Sequence, residues 1–237
     1  ALVLLLALFH SAFGESPKVT DYASIQAALD ANPGRPVFLP AGDYEIAKKV
    51  VINKSGSGLY GPGRIIQTTP DQPILTVENS ADVQLRDFTL TRAEGRTESR
   101  SEGLFIHRAE DPTIENVRVL DNHSAAGAIS LRECRGALIR GCRVENYMRI
   151  SIDDRTASEN YGYAFRCIDG SGIVVVDSEG TTVQNCRVIE RLLLPTRAVK
   201  DEHQLGVFTK KNPAKGALVS QQVWDAAYVD NWHQGSG

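Results

Sequence analysis

Four side chains in the middle of the sequence could transfer protons. Asp153 and Asp154 are adjacent, and Asp121 and His123 precede them. Carboxyl and imidazole groups are common general acids and bases, and two carboxyl groups on either side of a glycosidic bond can hydrolyse it. We therefore predict Asp121, His123, Asp153 and Asp154 as catalytic residues. The alternative is that the acids serve turns and ion pairs and that His123 is a hydrogen-bonded structural residue.

Cationic and aromatic side chains accompany these groups and could bind a substrate. Arginine forms paired hydrogen bonds with carboxylates, which acidic sugars carry, and aromatic faces stack on sugar rings. The predicted substrate-binding residues are Tyr147, Arg149, Arg155, Glu190, Arg191, Trp232 and His233. The alternative is a solvated surface of mixed charge, with tryptophans that cover the side of the fold.

An internal repeat positions these residues. Apolar residues recur at offsets 0, 2, 10, 13 and 15 in four copies. The copies are Leu75, Val77, Leu85, Phe88 and Leu90; Leu104, Ile106, Ile114, Val117 and Val119; Ile129, Leu131, Ile139, Cys142 and Val144; and Ile173, Val175, Val183, Cys186 and Val188. Polar residues alternate with the apolar ones, which is the pattern of strands that bury one face. Except before the last copy, the repeats are 25 to 29 residues apart, counting a looser copy at Leu59, and this length is typical of solenoids.

Turn-forming residues separate the short strands of each repeat. They are Asp87, Asn116, Gly141 and Asn185, types that tolerate left-handed backbone. Short strands joined by such corners predict an all-β fold, a parallel β-helix solenoid. Residues 24–29 predict a short N-terminal helix that caps the first coil. The last repeat follows the third by 44 residues, which predicts an inserted loop at 148–166; long loops on a regular scaffold are usually functional.

The same reasoning bears on metals and cysteines. Asp121, Asp153 and Asp154 could together hold Ca²⁺, which takes several oxygen ligands. We assign no metal-ligating residue, and no cysteine spacing indicates zinc or redox catalysis. The four cysteines fall into two candidate pairs, Cys142 with Cys186 in one ladder and Cys134 with Cys167. The first pair is expected as stacked thiols or as a disulfide, and the second could be a disulfide in a secreted protein.

The first 14 residues have the features of a signal peptide. The apolar run is too short to span a bilayer, and Ala12-Phe13-Gly14 has the form of a cleavage site. We expect a secreted protein, extracellular or periplasmic, without membrane insertion after cleavage. Its β-helix domain would be 15–237, with further coils and a cap beyond Gly237. The alternative for the apolar run is a buried first strand.

The charge balance limits the class of partner. The chain has 237 residues, with 26 Lys and Arg against 29 Asp and Glu and a net charge of -3. A protein that binds nucleic acid usually presents clustered positive charge to the phosphates. We therefore expect no nucleic-acid partner, and we expect a monomer.

Two segments carry a resemblance to a known family. DYASIQAALDANPGRPVFLPAGDYEI and VVINKSGSGLYGPG resemble the beginning of pectate-lyase-superfamily proteins, which are single-stranded right-handed β-helices. The resemblance implies that fold, but the superfamily contains lyases, hydrolases, epimerases, esterases and proteins without activity. The Asp153-Asp154 pair is similar to one element of the polygalacturonase pattern. The Gly-His-Gly and Arg-Ile-Lys elements are absent from the sequence, and RLLLPTR lacks the arginine spacing of pectate lyases.

The sequence therefore predicts a secreted carbohydrate-active β-helix protein. We expect a polysaccharide lyase or glycoside hydrolase that acts on an acidic polysaccharide. The alternative is a non-catalytic glycan-binding, structural or adhesive β-helix, or a scaffold whose catalytic residues lie further along the chain.

Overall fold

The computed structural model describes residues 16–94 and 98–237, and the predicted signal peptide at 1–14 lies outside the described residues. Three parallel sheets form a solenoid, and the chain visits sheets 1, 2 and 3 in turn in each coil.

Strands are numbered in chain order. Sheet 1 contains β1 (Pro36–Phe38), β4 (Gly58–Tyr60), β7 (Gln84–Arg86), β11 (Thr113–Glu115), β15 (Leu138–Arg140) and β20 (Thr182–Gln184). Sheet 2 contains β2 (Asp43–Ile46), β5 (Arg64–Gln67), β8 (Thr89–Arg92), β12 (Arg118–Leu120), β16 (Arg143–Glu145) and β21 (Arg187–Ile189). Sheet 3 contains β3 (Val50–Ile52), β6 (Leu75–Ala81), β10 (Leu104–Glu110), β14 (Ile129–Arg132) and β19 (Ile173–Val176).

The apolar ladders predicted from the repeat are confirmed. Ile114 pairs in register with Leu85 on one side and Ile139 on the other, and the other marked strand positions pair in the same way. The marked residues of the first three copies are buried. In the last copy, Val175 and Val183 are 40% and 47% exposed because that coil is the outermost one described. Burying a side chain of this size contributes about 1.5–3 kcal/mol, so the ladders supply the main stabilisation of each coil.

The predicted corners are also confirmed. Asp87, Asn116, Gly141 and Asn185 have φ values of 67°, 53°, 64° and 55°. Their side chains stack as well, because Asn116 Nδ2 donates to Asp87 Oδ1 at 3.0 Å. An amide or carboxylate at this position can bond to the same position of the next coil, which compensates for the cost of left-handed backbone.

The N-terminal cap is a helix, as predicted. A short 3₁₀ helix (Val19–Asp21) precedes α1 (Ile25–Ala31). Ser24 caps the start of the helix, because its Oγ accepts a hydrogen bond from the Ala27 amide at 3.1 Å, and Asn32 caps the end. Its buried residues are Ile25, Ala28 and Leu29. The helix therefore covers the apolar interior of the first coil.

The segment between the third and fourth repeats is a β-hairpin, where the sequence predicts a loop at 148–166. β17 (Arg149–Asp154) and β18 (Tyr163–Asp169) are antiparallel, and β22 (Phe208–Lys211) adds a third strand. We call these three strands the insert sheet. Two smaller elements, α2 (Arg197–His203) and α3 (Gln221–Asp225), flank β22 in the chain. A two-stranded sheet of β9 (Glu98–Ser99) and β13 (His123–Ser124) connects earlier loops. All these elements emerge between sheets 2 and 3.

All four cysteines are free thiols. Cys142 and Cys186 stack in one ladder as thiols, and burial raises the pKa of Cys142 to about 12. The second expected disulfide is wrong, because Cys167 Sγ lies 3.4 Å from Ser151 Oγ on the insert sheet, whereas the Cys134 amide bonds to Ser178. None of the helices in residues 16–94 and 98–237 has the length and apolar composition that a bilayer crossing requires.

Candidate functional site

The two adjacent acids predicted as catalytic lie at the end of β17. Asp153 is half-buried and Asp154 is exposed, because neighbouring residues of a strand point to opposite faces. Arg155 forms an ion pair with Asp153. Asp154 accepts hydrogen bonds from the Thr156 hydroxyl at 2.6 Å and from Lys210 Nζ at 3.0 Å. The two predicted catalytic acids therefore do not face each other, and both carboxylates are engaged by neighbouring side chains.

Asp121 and His123 are occupied by contacts between coils. Asp121 adopts a corner conformation with φ 53°, and its Oδ1 accepts from Asn146 Nδ2 at 2.9 Å. His123 is 7% exposed, and its Nδ1 is hydrogen-bonded to the Met148 carbonyl oxygen. His123, predicted as a catalytic residue, thus matches the alternative of a hydrogen-bonded structural histidine.

The expected calcium cluster of Asp121, Asp153 and Asp154 is not formed. Across the described ranges 16–94 and 98–237, no three His, Cys, Asp or Glu side chains converge as a metal site would require. Asp121 is bound at a corner of the solenoid, whereas the other two acids belong to the insert sheet. The carboxylates are therefore too dispersed to share one ion.

The predicted binding residues also separate into different environments. Tyr147 is 4% exposed and belongs to the core, so the expectation that its ring stacks on a sugar is wrong. Arg149 forms an ion pair with Asp169, and Arg191 lies 3.9 Å from Glu145. Arg155 lies over the ring of Tyr161, with its guanidinium carbon 5.0 Å from the ring centroid.

Glu190 is a structural anion. Its Oε2 accepts from the amides of Tyr147 and Met148, and its Oε1 accepts from the amides of residues 191, 192 and 193. A carboxylate that accepts several amide hydrogens fastens the segments that supply them. Glu190 therefore ties the base of the insert to the last coil, and this leaves it without a free oxygen for a substrate.

The two C-terminal candidates lie against the insert. Trp232 packs on the core, with Lys200 Nζ 5.7 Å from its ring centroid, and His233 forms an isolated parallel bridge with Ile168. These contacts give both residues a role in closing the last segment on the solenoid.

The outer face of sheet 3 brings together a polar set that the sequence reasoning missed. The ladder residues of this sheet point inward, so the residues between them point outward. The outward residues are Thr76 and Glu78 on β6, Phe105 and His107 on β10, Ser130 and Arg132 on β14, and Val174 and Val176 on β19. Thr76 and Ser130 are nevertheless buried, so the accessible part of this face begins at Glu78, His107 and Arg132. Glu78, His107 and Arg132 thus stand in register on three consecutive coils, about 4.8 Å apart.

His107 is oriented by its neighbours on this face. Its ring stacks on Phe105 with centroids 5.7 Å apart and an angle of 11° between the planes. Its Nε2 lies 3.4 Å from Glu133 Oε1, while Glu133 Oε2 accepts from Arg108 Nε at 2.8 Å. The Arg108 guanidinium and then His107 lower the pKa of Glu133. Glu133 is therefore an anion that can align the imidazole.

Glu102 lies two residues before β10, at the edge of the same face. Burial raises the pKa of its carboxyl, and this shift is partly opposed by a hydrogen bond from its own backbone amide and then by the nearby Arg132 and Arg92 guanidinium groups. A carboxyl whose protonated form is favoured can donate a proton. Among the acids with a shifted pKa in the described residues, Glu102 alone is raised.

Arg92 holds the Glu102 segment in place. The residue is 3% exposed, and burial lowers its pKa to about 10. Its Nε donates to Asn122 Oδ1 at 2.7 Å, and its Nη atoms donate to the carbonyls of residues 69, 72, 101 and 102. One guanidinium therefore links loops from three coils and fixes the backbone that carries Glu102.

The sequence contained one signal for this face. The polar residues between the ladder positions of the first strand in each repeat had to share one surface once the solenoid was predicted. Nothing in the sequence showed that the Glu102 carboxyl would be half-buried, because its burial depends on loops from other coils.

The comparison with protein families agrees with the fold. A profile described as the right-handed β-helix region matches residues 74–193, half of the chain. No curated protein sequence matches the chain. Among solved structures, a candidate glycosyl hydrolase from Parabacteroides merdae is similar with a TM-score of 0.46 and 14% identity, over 74% of this chain and 96% of its own. The profile match, together with the three parallel sheets, shows that the chain belongs to the right-handed β-helix family.

Proposed function

We propose that the protein is carbohydrate-active, binding an acidic polysaccharide along the outer face of sheet 3 and cleaving it by acid–base chemistry. The observation that carries this proposal is Glu102, a half-buried carboxyl with a raised pKa at the edge of a face that also presents His107 and Arg132. Substrate-cleaving sites commonly combine a group that holds its proton with a base and a cation.

Each member of this face has a role in the proposed chemistry. Arg132 and Arg108 offer guanidinium groups to sugar carboxylates, and Phe105 offers part of its ring surface. Glu102 donates its proton to the oxygen of the departing sugar. His107, aligned by Glu133, accepts a proton either from water or from the carbon next to the sugar carboxylate.

Deprotonation of water and deprotonation of the carbon lead to different products. If water is deprotonated, it attacks the anomeric carbon, the glycosidic bond breaks, and both products are saturated. If the carbon is deprotonated, its electrons form a carbon–carbon double bond while the bond to the glycosidic oxygen breaks. Hydrolysis therefore yields new reducing ends only, whereas elimination also yields an unsaturated sugar that absorbs ultraviolet light.

The test is turnover of uronate and neutral polysaccharides by the full-length protein and by Glu102→Gln. We expect an acidic polysaccharide to be cleaved and the variant to lose about 100-fold or more of the rate, since a general acid contributes about 10²–10⁴. Reducing ends and ultraviolet absorbance are measured together, and these identify the reaction.

The control is Glu179→Gln, which changes a carboxylate that is 81% exposed. We expect it to keep full activity. The melting temperature of Glu102→Gln at neutral pH should equal or exceed that of the wild type, because burial disfavours the ionised form that the variant lacks. Full activity of Glu102→Gln would contradict the assigned role, and absence of turnover on every polysaccharide would contradict catalysis.

A second candidate function is glycan binding without catalysis. It is favoured by the structural contacts of the acids Asp153, Asp154 and Glu190, each of which is engaged by cations or amide hydrogens. Saturable binding of an acidic polysaccharide with no product in the same assay would support this function. Secretion and a monomeric state stay predictions from the sequence.

A further inference from the structure

We propose that a groove along the outer face of sheet 2 is a second binding site that holds a linear acidic glycan. This site is separate from the outer face of sheet 3, and the proposal does not depend on the reaction proposed there. The groove has a volume of about 480 Å³ and is lined by residues from successive coils.

A column of three arginines forms one wall of this groove. Arg118, Arg143 and Arg187 occupy the same register position on β12, β16 and β21. Adjacent strands are about 4.8 Å apart, so the column offers a guanidinium group on each of three consecutive coils. All three residues line the groove.

Two of the three arginines have no acidic partner in the part of the chain that the structure describes. Arg143 forms an ion pair with Glu145, with Nε 2.6 Å from Oε1. Arg118 and Arg187 are exposed and form no ion pair within the described residues. Like charges directly opposite each other on neighbouring strands destabilise a sheet. A bound anion would compensate the two guanidinium groups that lack an acidic partner, so Arg118 and Arg187 indicate an anionic ligand.

The opposite wall is formed by the solenoid corners. Asp87, Asn116 and Asn185 contribute amide and carboxylate groups, and Gly141 leaves space between them. Such groups hydrogen-bond to hydroxyls. The groove thus places repeated cations beside repeated hydroxyl partners.

This combination favours a glycan over a nucleic acid. The repeat of the lining residues follows the solenoid axis, which suits an extended polymer with regularly spaced charges. Among the residues that the structure describes, no aromatic side chain lines the groove, whereas proteins that bind single-stranded nucleic acids usually stack the bases on aromatic rings. A net charge of -3 for the chain also shows that the positive column is a local feature.

The experiment measures binding of three polymers to the full chain by titration calorimetry. They are dextran sulfate, whose anions are sulfate esters, polygalacturonate, whose anions are carboxylates, and single-stranded DNA. The parent protein carries Arg108→Gln and Arg132→Gln, which remove the cations of sheet 3 and separate this test from the proposed function. Arg118→Gln and Arg187→Gln are then added together.

We expect the parent to bind at least one acidic glycan and the added pair to weaken the affinity by about tenfold or more, because each variant removes charged hydrogen bonds to the glycan. The tighter of the two glycans identifies the anion as a sulfate ester or a carboxylate. A matched control adds Arg35→Gln and Arg197→Gln, which remove the same charge from two other exposed positions, and it should retain the affinity.

The proposal would be overturned by unchanged affinity after Arg118→Gln and Arg187→Gln, by an equal loss in the control, or by DNA binding as tight as that of either glycan. Circular dichroism of each variant confirms that it is folded. Absence of glycan binding by the parent would likewise overturn this site while leaving the assignment of sheet 3 to be judged by its own assay.

Discussion

Two carboxyl groups show how local surroundings decide the chemistry of a residue. Burial raises the pKa of Glu102, whereas hydrogen bonds from Thr156 and then Lys210 lower the pKa of Asp154 to about 2. Burial favours the protonated form of the first group, whereas the hydrogen bonds favour the anion of the second. The proposed general acid is therefore Glu102, although the sequence analysis predicted Asp154 as catalytic because it is adjacent to Asp153.

The lowered pKa of Asp154 predicts how its contribution to stability depends on pH. In the unfolded chain this carboxyl protonates near 3.8, and in the folded protein near 2. Its contribution is therefore present above about pH 4 and is lost as the pH falls through about 2. We expect Asp154→Asn to be less stable than the wild type at neutral pH and this difference to shrink on acidification. Denaturant unfolding at several pH values measures it.

Lys210→Met provides a control for this prediction. It removes the ion pair but leaves both hydrogen bonds from Thr156, which are the larger causes of the low pKa. We expect a smaller effect with the same direction of pH dependence. A stability difference between Asp154→Asn and the wild type that stays constant from about pH 5 to about pH 2 would contradict the assignment.

At the scale of elements, Gly141 at the corner between sheets 1 and 2 must adopt left-handed backbone and must leave room for the Asn116 side chain. Its φ is 64°, and a Cβ atom there would lie 2.5 Å from Asn116 Oδ1. We expect Gly141→Ala to lower the free energy of unfolding by more than the cost of left-handed backbone alone, which is about 1–2 kcal/mol. Denaturant unfolding measures the loss.

Gly180 provides the matched control, because it has the same φ of 64° and its nearest neighbour for a Cβ atom is 3.7 Å away. Gly180→Ala should therefore show the backbone cost without the clash. Equal losses in the two variants would show that the close packing of the corner stack has no energetic consequence.

At the scale of the whole molecule, stability is distributed along a one-dimensional stack. Each coil contacts its two neighbours, so an interior coil is covered on both sides and the last described coil on one. Ile114 is fully buried, whereas Val183, which lies two coils later in the same ladder, is 47% exposed. Positions of the same ladder therefore contribute very different amounts to the free energy of unfolding.

This difference predicts unequal losses for truncations along one ladder. Ile114→Ala should lower the free energy of unfolding by about 2–5 kcal/mol, as large buried residues do when replaced by alanine. Val183→Ala should cost less than about 1 kcal/mol, because about half of its surface stays in contact with water. Thermal or denaturant unfolding measures both. A similar loss at the two positions would indicate that the last coil is covered in solution.

The sequence by itself determined the solenoid. Residues such as Leu85, Ile114 and Ile139 recur at fixed offsets, and a period of two assigns each of them to the interior. Corner residues such as Asn116 carry their own conformational preference. These properties are local, so they could be predicted without knowing how distant parts of the chain meet.

Only the tertiary structure decided which polar groups remain available for chemistry. Asp153, Glu190 and His123 are engaged by Arg155, by five backbone amides and by the Met148 carbonyl, respectively. Glu102 is half-buried beside Arg132, which lies 30 positions further along the sequence. Such contacts join segments that are far apart in the chain, and their geometry depends on how the loops between sheets 2 and 3 pack. Residue type and spacing fix which side of a strand a group lies on, whereas desolvation and partner choice are set by neighbours from other coils.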